Sequence, residues 1–108
     1  MEIAYICSPY RGNVERNSQR ARRFCLHALR NGYVPFAPHL HFPQFLNEAD
    51  PAQRSLGLEC GLTMLRKCDA LFVYGEQVSS GMRREIDEAE RLNVPVYYMP
   101  DDEGGSAQ

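Results

Sequence analysis

Residues 69–93, DALFVYGEQVSSGMRREIDEAERLN, change hydrophobic period part-way along. Asp69 to Tyr74 holds an unbroken apolar run, which suits a strand buried on both faces. Gly75 to Gly81 has loop composition. Beyond it, Met82, Ile86, Ala89 and Asn93 fall on one face of a helix, with Arg83, Arg84, Asp87, Glu88, Glu90 and Arg91 outside it. A buried strand feeding an amphipathic helix is half of a βαβ unit, and Val94 to Met99 supplies the next strand.

The same alternation extends towards the N-terminus. Ile3 to Cys7 is a short apolar run, followed by Ser8-Pro9-Tyr10-Arg11-Gly12-Asn13, which is rich in turn residues. Ala21, Phe24, Cys25, Ala28 and Leu29 then lie at helical spacing, with Asn13 as N-cap and Asn31-Gly32 as the stop. Tyr33 to Ala37 reads as a strand. Pro38 to Leu46, apolar but broken by two prolines, reads as a long structured loop with one helical turn. Asp50-Pro51 caps a helix running to about Lys67, with Leu58, Leu62 and Leu65 on its inner face. The order β-α-β-α-β-α-β predicts a single-domain α/β fold over residues 1–100. It is a Rossmann/flavodoxin-like three-layer sandwich, with a parallel sheet of four to five strands flanked by helices. Ligands of such sheets bind at the carboxyl ends of the strands. That rule selects the loops Ser8–Asn13, Pro38–Asp50 and Gly75–Gly81.

At 108 residues and 44% hydrophobic composition the chain can bury one core without staples. No apolar run is long enough to span a bilayer, and no secretory signal pattern opens the chain, so a cytoplasmic protein is expected. Asp101-Asp102-Glu103-Gly104-Gly105-Ser106 predicts a flexible acidic tail over residues 101–108. Net charge is −2, so binding to a nucleic-acid polymer or a membrane surface is not expected. The charge is uneven: residues 1–36 carry six Arg against Glu2 and Glu15. Every basic residue but Lys67 is Arg, the residue suited to bidentate phosphate or carboxylate recognition. Cys7, Cys25, Cys60 and Cys68 form no C-x-x-C pair and read as free, buried thiols.

Ser79-Ser80-Gly81 before a helix exposes backbone N–H groups at the positive end of the dipole, which suits a phosphate or a ribose hydroxyl. Glu85 lies one turn further, beside the buried face. It is expected to stay ionised near the dipole and to face the crevice. Tyr5 can place a phenol in the same crevice, and Arg11 sits where the first loop meets the next helix. His39-Leu40-His41 offers two imidazoles, on one side if extended, but no third metal ligand at useful spacing. His39 is read as a loop histidine lining the pocket. No dinucleotide fingerprint, P-loop or serine-hydrolase elbow is present.

Three blocks together carry a resemblance. They are Tyr5-Ile6-Cys7-Ser8-Pro9-Tyr10-Arg11-Gly12, Cys68-Asp69-Ala70-Leu71-Phe72-Val73-Tyr74-Gly75, and Ser79-x-Gly81-x-x-x-Glu85-x-x-x-Ala89. In order and spacing they resemble the nucleoside 2-deoxyribosyltransferase-like superfamily. That group contains base-swapping transferases and N-glycosidases of nucleoside 5′-monophosphates. The resemblance implies Glu85 as nucleophile with the Tyr5 phenol beside it. It implies a substrate cradle that includes Ser79 and Gly81, with Arg11 near the substrate. With Ser8, Gly12, His39 and Met82 from the same loops, these form the candidate binding set. No metal and no cofactor are called for. The resemblance also implies a homodimer or larger homo-oligomer in which a neighbouring subunit completes the pocket. One position departs from the pattern: the nucleotide-cleaving members place an Asp where this chain has Gly61. A non-catalytic nucleotide-binding or sensing module on the same fold is the alternative. A flavodoxin-like electron carrier fits Ser8-Pro9-Tyr10 poorly.

Overall fold

The computed structural model describes residues 1–100, so the expected tail at 101–108 lies outside them. Four strands, β1 (Glu2–Cys7), β2 (Tyr33–Phe36), β3 (Ala70–Val73) and β4 (Val96–Tyr98), form one sheet of order β2-β1-β3-β4. All neighbouring pairs are parallel, with Tyr5 beside Phe36 on one side and beside Leu71 on the other. The helices are α1 (Val14–Arg30), α2 (Pro38–His41), α3 (Pro51–Leu65) and α4 (Ser80–Arg91). This is the expected Rossmann/flavodoxin-like sandwich, with four strands among the described residues.

Strand pleating sorts the core into two halves. Ala4, Ile6, Ala70 and Phe72 point to one face and bury Phe24 and Ala28 of α1. Tyr5, Cys7, Leu71 and Val73 point to the other and bury Leu65 of α3 with Met82, Ile86 and Ala89 of α4. Phe24 stacks on Tyr74 at 4.2 Å. Removing a buried ring of this kind costs about 3–5 kcal/mol. The central strands β1 and β3 are almost wholly buried at their core positions, whereas the edge strands keep exposed residues such as Val34 and Tyr98. Asp69 clasps β3 to the start of β1: its Oδ2 accepts from the Ile3 N–H, and its own N–H donates to the Ile3 carbonyl, both at 2.8 Å.

Helix ends follow the expected chemistry. Asn13 Oδ1 accepts from the Arg16 N–H at 3.1 Å, Asp50 accepts from the Ala52 N–H ahead of Pro51, and Gly32 takes φ +87° after α1. Three details differ from expectation. Pro38–Leu46 is more regular than a loop: α2 is followed by a 3-10 turn at Phe42–Gln44, because Pro at the first helical turn favours that geometry. α4 begins at Ser80, earlier than the apolar pattern indicated, because the Ser79 cap starts it. The buried face of α3 is Gly57, Gly61 and Leu65, with Leu58 and Leu62 only partly buried. Leu65 is buried as expected, but at the closest approach the helix presents Gly57 and Gly61 in place of Leu58 and Leu62.

Among the described residues no helix is long and apolar enough to cross a membrane. All four cysteines are free.

Candidate active site

The chain leaves β1 towards β2 on one side of the sheet and returns to β3 on the other. The carboxyl ends of β1 and β3 are therefore the topological switch point, where a crevice opens. A cleft of about 300 Å³ lies there. Its walls are Pro9, Tyr10 and Arg11 after β1, Pro38 and His39 of α2, Gly57, Leu58 and Gly61 of α3, and the first turns of α4.

Glu85 and Tyr5 form its floor. Met82, Ile86 and Ala89 pin one side of α4 to the sheet, and Glu85 shares that side, leaving it 3% exposed. The Tyr5 hydroxyl donates to Glu85 Oε2 at 2.6 Å. Glu85 Oε1 is buried and, among the described residues, has no hydrogen-bond partner. A buried, unpartnered carboxyl oxygen costs free energy unless something else meets it. Burial pushes the Glu85 carboxyl from 4.5 in the open chain up to about 7, against the lowering effects of the Tyr5 and Cys7 side chains. The expectation of a firmly ionised carboxylate therefore fails: desolvation outweighs the helix dipole, and at neutral pH both forms are populated. The Tyr5 phenol is driven well above its usual value by burial and by Glu85, so it remains a hydrogen-bond donor. The Cys7 thiol, raised by burial, points at the Met82 carbonyl at 3.7 Å.

Ser79 Oγ accepts from the Met82 N–H at 3.2 Å, so this serine is the N-cap of α4. The Ser80 and Gly81 N–H groups belong to the first turn, where no carbonyl of the helix can reach them. A Cβ at Gly81 would meet nothing within 4 Å, so the approach to this turn is open. His39 stacks on Tyr10 with ring centroids 4.7 Å apart. Burial lowers its imidazole to about 4, despite a hydrogen bond to the Ser8 backbone, so it is neutral at physiological pH.

Residues 2–99 match the family model described as a domain of unknown function, DUF7768. The chain belongs to this family. The comparison with curated proteins gave no match.

Within the DUF7768 domain, Tyr5, Arg11, His39, Ser79, Gly81, Met82 and Glu85 all line the one cleft. Ser8 and Gly12 do not line it. Ser8 is buried behind the wall, and Gly12 is exposed in the turn before α1 with φ +98°. The two histidines of His39-Leu40-His41 part company, since residues two apart on a helix point in different directions. His41 packs among Phe36, Phe42 and Phe45. Among the described residues no group of His, Cys, Asp and Glu is arranged to hold a metal ion.

The cleft of the DUF7768 domain also contains residues that the sequence pattern did not single out for it. Arg84, read as an outward residue of α4, lines the cleft, as do Arg54, Glu48 and Tyr10. On α4 the neighbouring Arg83 pairs with Asp87 and Arg91 with Glu88, whereas Arg84 has no such ion pair among the described residues. The departure at Gly61 acquires a geometric meaning: a Cβ there would lie 2.9 Å from the Tyr5 hydroxyl.

Proposed function

We propose that this domain cleaves or transfers at the N-glycosidic bond of a nucleoside or nucleoside 5′-monophosphate, with Glu85 as the nucleophile. One observation carries the reading. A carboxyl on the cleft floor has one oxygen held by Tyr5 and the other buried without a partner. The first fixes the orientation; the second, among the described residues, has no hydrogen bond to give up before the carboxylate reacts.

The chemistry is as follows. Departure of the base gives C1′ oxocarbenium character. The Glu85 carboxylate attacks C1′, the C1′–N bond breaks, and its electron pair leaves with the base, which takes a proton from water. Water then attacks C1′ of the glycosyl ester and releases Glu85. A second base in its place makes the reaction a transfer. Tyr5 stays protonated and supports the ionised carboxyl. His39, neutral, offers a hydrogen bond and, with Tyr10, a flat stacked surface at the cleft wall. The first turn of α4, with Arg11, Arg54 and Arg84, supplies positive potential suited to a 5′-phosphate.

A second reading is a nucleotide-binding or sensing module without turnover. Gly61, in place of the Asp of the nucleotide-cleaving members, favours it. One panel separates the two. The protein is incubated with nucleosides and 5′-monophosphates, with and without a second free base, and released bases are resolved by chromatography. Base release supports the enzyme, whereas binding without release supports the sensor. The free thiols fit the reducing cytoplasm. A homodimer or larger assembly is part of the proposal, because Leu56 and Met64 are exposed on α3.

A further inference from the structure

We propose that Gly61 is a positioning residue: its missing side chain is the seat that lets the Tyr5 hydroxyl reach the Glu85 carboxyl. The inference concerns the same site as the proposed reaction, but it stands on packing and is testable without turnover.

Glycine is among the least favourable residues for a helix interior, and Gly61 lies well inside α3 (Pro51–Leu65). Its φ is not in the left-handed region, so no backbone demand explains it. Packing does. A Cβ at this position would lie 2.9 Å from the Tyr5 hydroxyl and 3.8 Å from Pro38 Cβ. The other buried glycine of α3, Gly57, differs: its Cβ would approach the Leu46 Cδ1 tip at 3.2 Å, and a leucine tip can turn aside. Tyr5 has no such freedom. It is 1% exposed, its ring lies 5.7 Å from that of Phe36, and its only freedom is two side-chain torsions. The hydroxyl is enclosed between α3 on one side and Glu85 Oε2, at 2.6 Å, on the other. A methyl group at 61 must push it off one of them.

Arg11, Glu48, Arg54 and Arg84 line the same cleft as this pair, and the groups that act on the pair through closer contact are few. Cys7 of β1 and Cys68 ahead of β3 act on Tyr5, and burial keeps both as neutral thiols. Arg83 acts on Cys7, and His39 in the same cleft is neutral. Tyr5 is thus the main side-chain donor favouring the ionised Glu85, and Gly61 controls whether it can act.

The test is a titration of Glu85 by NMR in protein labelled with 13C at the glutamate carboxyl carbon, using E85Q to assign the signal. The cycle compares wild type, G61A, Y5F and Y5F/G61A. Loss of the Tyr5 hydrogen bond destabilises the carboxylate, so G61A raises the Glu85 midpoint by about one unit. Y5F raises it likewise, and adding G61A to Y5F changes nothing further, because the clashing oxygen is gone. A G61A or Y5F midpoint that stays or falls overturns the proposal, as does a G61A effect of equal size in the Y5F background. If G61A does not fold, folding of Y5F/G61A supports the seat, and failure of both variants overturns it. A protein that passes this cycle but releases no base in the substrate panel loses the proposed reaction and keeps the role of Gly61.

Discussion

Replacing Glu85 with Gln should make the protein more stable at alkaline pH while abolishing base release. The magnitude follows from the shift of the carboxyl from 4.5 to about 7. The folded pKa lies above the unfolded one, so the native state binds the extra proton. Stability contributed by the group is then present below pH 4.5 and lost as pH rises through 7. At pH 5 the wild type has given up under about 1 kcal/mol; at pH 8 it has given up about 3 kcal/mol. Gln has nearly the same shape and never ionises. The stability difference between variant and wild type should therefore move in the variant's favour by about 2–3 kcal/mol between pH 5 and pH 8. A constant offset is expected beneath this, because the amide N–H₂ can occupy the unpartnered Oε1 position. In a domain of this size the change corresponds to roughly 10 °C in Tm. Thermal unfolding at both pH values measures it, and base release on the same samples measures function. A difference that does not vary with pH would refute the buried-carboxyl account. Turnover near that of the wild type would refute the nucleophile. For the wild type, activity should rise through about pH 7 as Glu85 ionises.

Ser79→Ala should lower stability by about 1 kcal/mol, since it removes the cap on the Met82 N–H. If Ser79 also touches substrate, nucleotide affinity falls beyond what the stability loss explains, as isothermal titration would read. Arg54→Ala and Arg84→Ala should each weaken 5′-monophosphate binding about fivefold, by about 1 kcal/mol, and leave the free nucleoside unaffected. Equal losses for both ligands would remove the phosphate from that side of the cleft. Light scattering should give a mass of a dimer or more, and a value near 12.3 kDa would show a monomer.

The sheet was readable because its signals are local. The runs at Ile3–Cys7 and Ala70–Val73 are apolar on both faces, and Asn13, Asp50 and Gly32 mark helix ends by side chain or backbone chemistry alone. Glu85 was readable as well, since its place between Met82 and Ala89 puts it against the core. The inner face of α3 was not. Gly57 and Gly61 carry no hydrophobic signal, so the leucines drew the eye to a neighbouring face. Arg54 and Arg84 look like ordinary solvent residues in the pattern, and only the packing of α3 near α4 brings them into the cleft. The protonation of Glu85 was also hidden, because desolvation depends on what the rest of the chain lays over it.

Tyr5 and Glu85 stand 80 positions apart in the chain. No fragment holding only one of them has a site, and closing so long a loop is entropically costly until other contacts reward it. The site needs β1 paired with β3 and α4 docked on the face that Tyr5 occupies. A slip of one residue in that pairing would turn the phenol to the α1 side. The hydrogen bond between β1 and α4 is thus present only where β1, β3 and α4 are already together. It is also among the first losses if α4 peels away in a local opening. Under the proposed reaction, the nucleophile is therefore assembled only when the fold is complete, and partly folded chains would carry an unreactive glutamate.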